Sequence, residues 1–454
     1  MSGIDDLRNR MDQVTLDLVK LLKRRTDIAG EIGRVKKTIG KGVTDEAREN
    51  SLRDKVVSLS KEVGLDEGLA VRFLNFLLNE SVRVQSGSRQ THLSVFLKAK
   101  ELERQGGKIV HMEVGEPDFM PPRIVRTAMQ ESFDRGFVRY GQAAGRVEFR
   151  KALAEKASKD YSIQADEENI LVTPGARFSV FLAITTLLNP GDEIVIIEPA
   201  WPAYRDCALN AGVKVRSVKT TLENRWEPKI EEIEGLVDSN TRMIVLNYPN
   251  NPTGKILPAA LQDEIVELVK RNDLYVLSDE IYAQYARVPS KSILEYGYDK
   301  SIVAQSFSKS HAMTGFRVGY SVAEKSIVER MSRLQALSLT SVSEPMQYAA
   351  MTALDQDTSE NTATINSRLA VLSEKAREAN LEFLEPDGAM YIFAKASQES
   401  FDGVEFSHKA LEEGLAVAPG DGFGDYKEFI RISACRDEKT LKEGMDILSE
   451  VLRR

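Results

Sequence analysis

The run Ser306-Phe307-Ser308-Lys309 closes a short apolar stretch, and Arg317 follows eight residues on, within Gly315-Phe316-Arg317-Val318-Gly319. A lysine after a strand is ordinarily a solvated surface residue. Here Ser306, Ser308 and Arg317 form the donor set a phosphate requires, and a lysine beside other cations or away from water loses its proton and becomes an amine nucleophile. Upstream, Ser278-Asp279-Glu280-Ile281-Tyr282 ends another apolar run, where a buried acid is costly unless paired. A protonated ring nitrogen of a cofactor is a suitable partner. Further upstream, Asn247-Tyr248-Pro249-Asn250-Asn251-Pro252-Thr253-Gly254 closes a third run with a turn that presents polar side chains. Thr173-Pro174-Gly175-Ala176-Arg177 joins a strand to an apolar helix, so the amides of Gly175, Ala176 and Arg177 face an anion at a helix N-terminus.

A second group of cations lies at the other end of the chain. Arg8, Arg25 and Lys36 fall on or near the apolar stripe of a helical stretch, although a lone basic residue on a helix is usually solvated. Arg25 and Lys36 are about 16 Å apart on nearly the same face, so their long side chains can converge on one small anion. Arg8 lies roughly 25 Å from Arg25 along the axis and cannot join them from the same helix. A helix of this length has no equal partner in its own domain, which predicts that two chains pair antiparallel and that Arg8 of one reaches the site of the other.

The elements that must carry these residues fall into two blocks. From Ile4 to about Lys37, Leu7, Met11, Val14, Leu18, Leu21, Leu22, Ile28, Ile32 and Val35 recur at helical spacing without proline, an inward stripe on one long helix. Gly40 to Gly42 interrupt it, and Thr44 is the expected N-cap of a second helix, with Asp45 and Glu46 in its first turn. Gly64 breaks that helix, and a third runs from about Asp66 to Gln85, ending at the linker-like Ser86-Gly87-Ser88. After residue 89, β-branched runs alternate with amphipathic helices, the pattern of a largely parallel α/β sheet. The runs are Ile109–Val114, Asn169–Thr173, Glu193–Ile197, Arg242–Leu246, Leu274–Leu277 and Ser301–Ala304. Open sheets of this kind bind ligands outside the carboxyl ends of their strands. The expected boundaries are an all-helical domain over 1–88 and an α/β domain over 89–454.

Composition narrows the function classes. The chain of 454 residues is 42% hydrophobic and 29% charged, long enough for several real cores. No run approaches the ~18 apolar residues of a membrane span. Asp5, Asp6 and Asp12 suit no secretory leader. Two cysteines, Cys207 and Cys435, exclude a disulfide framework and make a reducing cytoplasm the simplest home. A net charge of -8 argues against nucleic acid as the main partner, leaving small molecules. No metal site is expected.

The first block resembles the all-helical chorismate mutase family across its whole length. That family carries two arginines and a lysine on its first helix, Asp-x-x-Arg-Glu opening the second and Ser-x-x-x-Gln closing the third. Here those positions are Arg8, Arg25 and Lys36, then Asp45, Arg48 and Glu49, then Ser81 and Gln85, in order and without a gap. The resemblance implies an intertwined dimer that rearranges chorismate to prephenate, a reaction needing no nucleophile and no proton transfer. The site need only hold the dicarboxylate folded and stabilise charge that separates as the ether bond breaks. In the roles so implied, Arg8 and Arg25 clamp the carboxylates, and Lys36 and Gln85 donate to the ether oxygen. Arg48 and Glu49 hold the ring hydroxyl and the ionic frame, while Ser81 and Asp45 support. The competing reading is a silent domain kept for dimerisation or effector sensing.

The second block resembles the aspartate aminotransferase family of pyridoxal-phosphate enzymes over essentially all of residues 90 to 454. The order Asn251, Asp279, Tyr282, Lys309, Arg317, Arg431 is that family's order. The resemblance implies a large mostly parallel-sheet part at about 121–324 and a small α+β part at about 89–120 and 325–454. It assigns Lys309 to the covalent hold on the cofactor and to proton transfer at the substrate Cα. Asp279 goes to the ring nitrogen, Tyr282 and Asn251 to the ring oxygen, and Gly175, Ala176, Arg177, Ser306, Ser308 and Arg317 to the phosphate. Trp201 in Pro199-Ala200-Trp201-Pro202 is either a stacking partner of the ring or an ordinary core residue. Arg431, in Phe429-Ile430-Arg431-Ile432-Ser433, takes the substrate α-carboxylate, helped by the backbone near Gly115, and Tyr140 comes from the partner subunit of a homodimer. The amino acid and oxo acid specificity stays open between aspartate, aromatic and prephenate readings. A pyridoxal-phosphate lyase or synthase on the same fold keeps the same lysine, whereas a transcription regulator would need a basic head that this chain lacks.

Overall fold

The structure, a computed structural model, describes residues 2–39, 45–86, 92–398 and 400–454. Contacts divide it into two compact units, Met1–Arg89 and Gln90–Arg454.

The first unit is three helices, α1 (Ser2–Thr38), α2 (Glu46–Glu62) and α3 (Glu67–Ser86). Gly64 ends the second at φ +70°, a conformation that residues with a Cβ seldom adopt. The expected cap at Thr44 lies outside the described residues, and the cap is Asp45: its backbone is extended and its carboxylate accepts from Arg48 N at 3.1 Å. An acid is as good a cap as a threonine, and here the helix begins one residue later than its charge pattern suggests. Inside the unit only a thin core forms, from Ala29, Ala70 and Leu74. Within one chain most of the expected inward stripe is bare: Leu7, Met11, Val14, Leu18, Leu21, Ile28, Ile32 and Val35 are 44 to 65% exposed, and Leu22 is half-buried. Helix α1 meets α3 along a seam where Gly33 approaches Gln85, and among the described residues the rest of its apolar face is exposed.

The second unit is built on a seven-stranded sheet. Its order is Ile170–Thr173, Gly319–Ala323, Ser301–Ser306, Tyr275–Asp279, Thr241–Asn247, Glu193–Glu198, Lys214–Lys219. Gly319–Ala323 is antiparallel to both of its neighbours and every other pairing is parallel. Residues 170–173 and 193–198 are buried at every position, as a sheet covered by helices on both faces requires. Parallel register sets Asn247 beside Asp279, so the polar strand ends converge. A four-stranded antiparallel sheet (Ala418–Pro419, Ile430–Ser433, Tyr391–Ala396, Leu381–Phe383) has its own core and carries Arg431. The run Ile109–Val114 does not join the large sheet. Only Val110–His111 is strand, paired with Leu415–Ala416, because the chain then turns toward Gly115. Among the described residues no helix is long and apolar enough to cross a membrane.

Candidate active sites

In the helical unit the α1–α3 seam gathers part of the expected set. Arg25 donates through Nη1 to the Leu77 carbonyl at 2.6 Å and to Ser81 Oγ at 2.5 Å, and is half-buried. Eight residues on, a Cβ at Gly33 would stand 2.9 Å from Gln85 Cα, so glycine lets α3 press against α1 there. Gln85 Oε1 is buried without a partner among the described residues, and Lys36 is half-buried one turn further along. Arg25, Ser81, Gln85 and Lys36 therefore follow one seam. Arg48 and Glu49 stand on the first turn of α2 and take no part in the Arg25 contacts. Arg8 is exposed and pairs with Asp5 at 3.4 Å, about 25 Å along α1 from Arg25.

In the second unit a cavity of about 290 Å³ opens where the strands Thr241–Asn247, Tyr275–Asp279 and Ser301–Ser306 end. Asp279 is 2% exposed and accepts from Tyr204 Oη at 2.7 Å. Burial pushes its carboxyl up to about 6, against the pull of the Tyr204 hydroxyl, the Ile281 amide and the Lys309 charge. Burial also pulls the Lys309 amine below its ordinary value, and Nζ donates to the Gly115 carbonyl. The lysine backbone is held in turn by Tyr285, whose hydroxyl donates to the Lys309 carbonyl at 2.8 Å. Gly115 admits no side chain, since a Cβ would fall 1.7 Å from Tyr391 Oη.

At one end of the cavity the helix Ala176–Leu187 begins, with Gly175 as its N-cap at φ +84°. Ala176, Arg177, Ser306, Ser308 and Arg317 line the wall. Gly175 lets the Arg317 guanidinium close in, because a Cβ there would lie 2.5 Å from Nη2. At the other end Arg431, 2% exposed, donates through Nη1 to Asn251 Oδ1 at 2.8 Å and through Nη2 to the Glu113 carbonyl. Its Nε is buried with no partner among the described residues, so the guanidinium keeps a donor in reserve. Tyr282 and Tyr391 hydroxyls meet at 2.7 Å, and Trp201 lines the cavity edge-on to Tyr204 with the Arg177 guanidinium 4.8 Å from its ring centre. Tyr140 is 90% exposed and does not line the cavity of its own chain. Among the described residues no group of His, Cys, Asp and Glu has the arrangement of a metal site.

Among the cavity residues to which the sequence gives no role are His92, Tyr204, Asn247, Thr314 and Tyr391. Asn247 had a signal, standing at the end of its run. It donates to the Asp279 carbonyl at 3.0 Å and accepts from the Asn251 amide at 3.0 Å, tying the two strand ends together. Tyr204 had none, being one tyrosine among 13 in the chain.

Behind this wall His111 joins two acids, Glu113 Oε1 at 2.8 Å through Nδ1 and Glu103 Oε1 at 3.1 Å through Nε2. With an acceptor at each nitrogen the ring holds both protons, and its pKa is raised, chiefly by the buried Glu113 carboxylate. A raised folded-state pKa gives stability that is complete below the unfolded value of about 6.5 and lost as pH climbs through the folded one. Glu103 lies on helix α4 (His92–Arg104), so the latch fastens that helix to the chain leading to Gly115. Replacing His111 by Gln should lower the melting temperature more at pH 6 than at pH 9, as thermal unfolding at the two pH values will show.

An acid kept this dry, bonded to a tyrosine and an amide rather than to a cation of the protein, suits a protonated ring nitrogen. The cluster of serines, guanidiniums and helix amides on the same wall suits a phosphate, and both features fit pyridoxal phosphate. This is the class of pyridoxal-phosphate enzymes that act on amino acids, here preceded by a helical unit with a cationic seam. The chain belongs to the class I and II aminotransferase family, whose model matches residues 107–448. Residues 7–86 match the model of chorismate mutase type II. An aspartate aminotransferase of Thermotoga maritima is 33% identical over 359 residues, covering 78% of this chain and 94% of the relative. An aspartate/prephenate aminotransferase of Thermus thermophilus is 30% identical, covering 82% of this chain and 99% of the relative. The crystal structure of the Thermotoga maritima aspartate aminotransferase superposes with a TM-score of 0.76 at 32% identity, covering 80% of this chain and 96% of that one. The chain thus combines chorismate mutase and pyridoxal-phosphate aminotransferase in one polypeptide.

Proposed function

We propose that the helical unit rearranges chorismate to prephenate and that the second unit aminates prephenate, with glutamate or aspartate as donor. The supporting observation is a cavity lined, besides Arg317 on the phosphate wall, by Arg431 at one wall and by Arg177 over Trp201 at another. Prephenate carries a second carboxylate three bonds from its oxo carbon, the same spacing as in 2-oxoglutarate, so one cavity serves both acids. The match to an aspartate/prephenate aminotransferase over 99% of its length agrees with this reading.

The cofactor, when bound, supplies an electron sink that makes the substrate Cα–H bond acidic. The chain does the rest. Arg431 grips the α-carboxylate and uses Asn251 to stay in register, while Lys309, stripped of water, moves the proton from Cα. With the cofactor in place, Asp279 would hold the ring nitrogen protonated, Tyr282 and Asn251 would bond the ring oxygen, and Trp201 would pack on the ring. Ser306, Ser308, Arg317 and the amides of Gly175, Ala176 and Arg177 anchor the phosphate. In the helical unit Arg25 and Ser81 take one carboxylate, and Lys36 and Gln85 donate to the ether oxygen. Arg48, Glu49 and Asp45 close the ring-hydroxyl side, and Arg8 comes from a second chain. We assign the mutase to residues 1–88 and the aminotransferase to residues 89–454, and the free thiols of Cys207 and Cys435 suit a cytoplasmic home.

The partner chain is required twice in this reading. It covers the exposed stripe of α1, whose apolar side chains are worth about 1.5–3 kcal/mol each once buried, and it delivers Tyr140 to the cofactor phosphate. Two measurements test the proposal. In an acceptor panel with glutamate as donor, kcat/KM for prephenate should exceed that for phenylpyruvate by about tenfold, the worth of one more carboxylate contact. No amination of prephenate would overturn the assignment. Mixing Arg8→Ala and Arg25→Ala chains, each inactive as a mutase alone, should restore roughly a quarter of the sites, because half of the dimers are mixed and each of these holds one intact site. No recovery would show that Arg8 does not serve the site of a second chain.

A further inference from the structure

His92 begins helix α4 and turns its ring into the cavity rather than toward the core that Val95 and Ala99 build on the same helix. The ring lies against Phe423, with centroids 6.4 Å apart and planes 20° from parallel. Its Nδ1 is buried with no hydrogen-bond partner among the described residues. Arg177, Arg431 and Lys309 line the same cavity. A residue serving only to pack against Phe423 would do so without a stranded nitrogen, and a buried polar atom without a partner calls for an explanation. Its surroundings supply one, since the place is ringed by positive charge and open to the substrate.

We propose that His92 selects the substrate side chain, its Nδ1–H donating to the second carboxylate of a dicarboxylic oxo or amino acid whose α-carboxylate is held by Arg431. Burial and the charges of Arg431, Arg177 and Lys309 hold the imidazole down at about 3, so it is neutral throughout the working range. A neutral ring has one N–H, and beside a carboxylate the tautomer with the proton on Nδ1 is favoured. Arg177 contributes charge to this wall. His92 contributes direction, because its ring is fixed by Phe423 and its donor points along one line. An aromatic monocarboxylate offers nothing for that donor and leaves it stranded, which is how a site built to bond a polar group rejects an analogue that lacks it.

The inference rests on the reading that the acceptor is a dicarboxylate, and the experiment separates the two. Dissociation constants for maleate and for 3-phenylpropionate are measured on the holoenzyme, with kcat/KM for 2-oxoglutarate, prephenate and phenylpyruvate, in wild type and in His92→Phe, His92→Ala and His92→Asn. His92→Phe and His92→Ala should weaken maleate by about tenfold or more relative to 3-phenylpropionate. The ratio of kcat/KM for 2-oxoglutarate to that for phenylpyruvate should fall by the same factor. His92→Asn, whose amide N–H stands near the position of Nδ1, should recover much of both ratios. Equal weakening of the two ligands, or an unchanged maleate constant, overturns the role of His92 whatever prephenate does. A wild type that uses 2-oxoglutarate but not prephenate overturns the prephenate reading and leaves the His92 ratios standing.

Discussion

Replacement of Lys309 by alanine is expected to lower kcat for amino transfer by on the order of 10⁴ or more, while chorismate turnover by the same protein stays within about twofold. The size of the effect follows from the site. Lys309 is the single lysine among the described residues that line the cavity, and it is half-buried, held between the Gly115 carbonyl and the backbone tie to Tyr285. Without it there is no amine to attach the cofactor and none to carry the Cα proton. The fold should tolerate the change, because removing a desolvated amine also removes the cost of burying it. Oxo acid formation from glutamate, the absorbance of lysine-linked cofactor and prephenate production are to be read on one preparation. Loss of prephenate production as well would show that the two sites are not independent.

The converse variant, Arg25→Ala, should cut mutase kcat/KM by on the order of 10³ and leave amino transfer alone, since one preorganised charged donor is typically worth that much to a charge-separating step. Stability should change little. The Leu77 carbonyl keeps its bond from Ser81 Oγ at 2.8 Å, so no buried acceptor is stranded, and the loss is about 1 kcal/mol. Arg25→Lys should recover only part of the activity, a point charge being a poor substitute for a planar fork. Steady-state chorismate consumption checks both. A helical unit that serves only as a dimerisation arm or an effector sensor would show no mutase turnover in the wild type and nothing to lose in the variant.

How much of this was legible before any coordinates depended on what each residue had beside it. Lys309, Asp279 and Asn251 stand at or just beyond the ends of apolar runs, and a charged or amide side chain in that position has few structural reasons to be there. The three helices and most strands of the large sheet were legible because their periodicity is sustained over several residues. Tyr204 and Tyr391 were not, because a tyrosine in an apolar stretch reads as core, and each acquires its role only when the fold brings it to Asp279 or Gly115. The small antiparallel sheet was hidden for a related reason. Leu381–Phe383 and Ala418–Pro419 are too short for any pattern to show. The α1 stripe was legible as apolar, but periodicity says only that a face wants cover and is silent about what covers it.

That uncovered face has a consequence for how the protein is made. The helical unit leaves the ribosome first, with its long apolar ridge complete but bare, and the 365 residues of the second unit take roughly 20–70 s to follow. During that interval the bare ridge of a newly made helical unit is open to whatever other chains it meets. Neighbouring ribosomes on one message are the nearest supply, so pairing during translation and clumping during translation compete for the same surface.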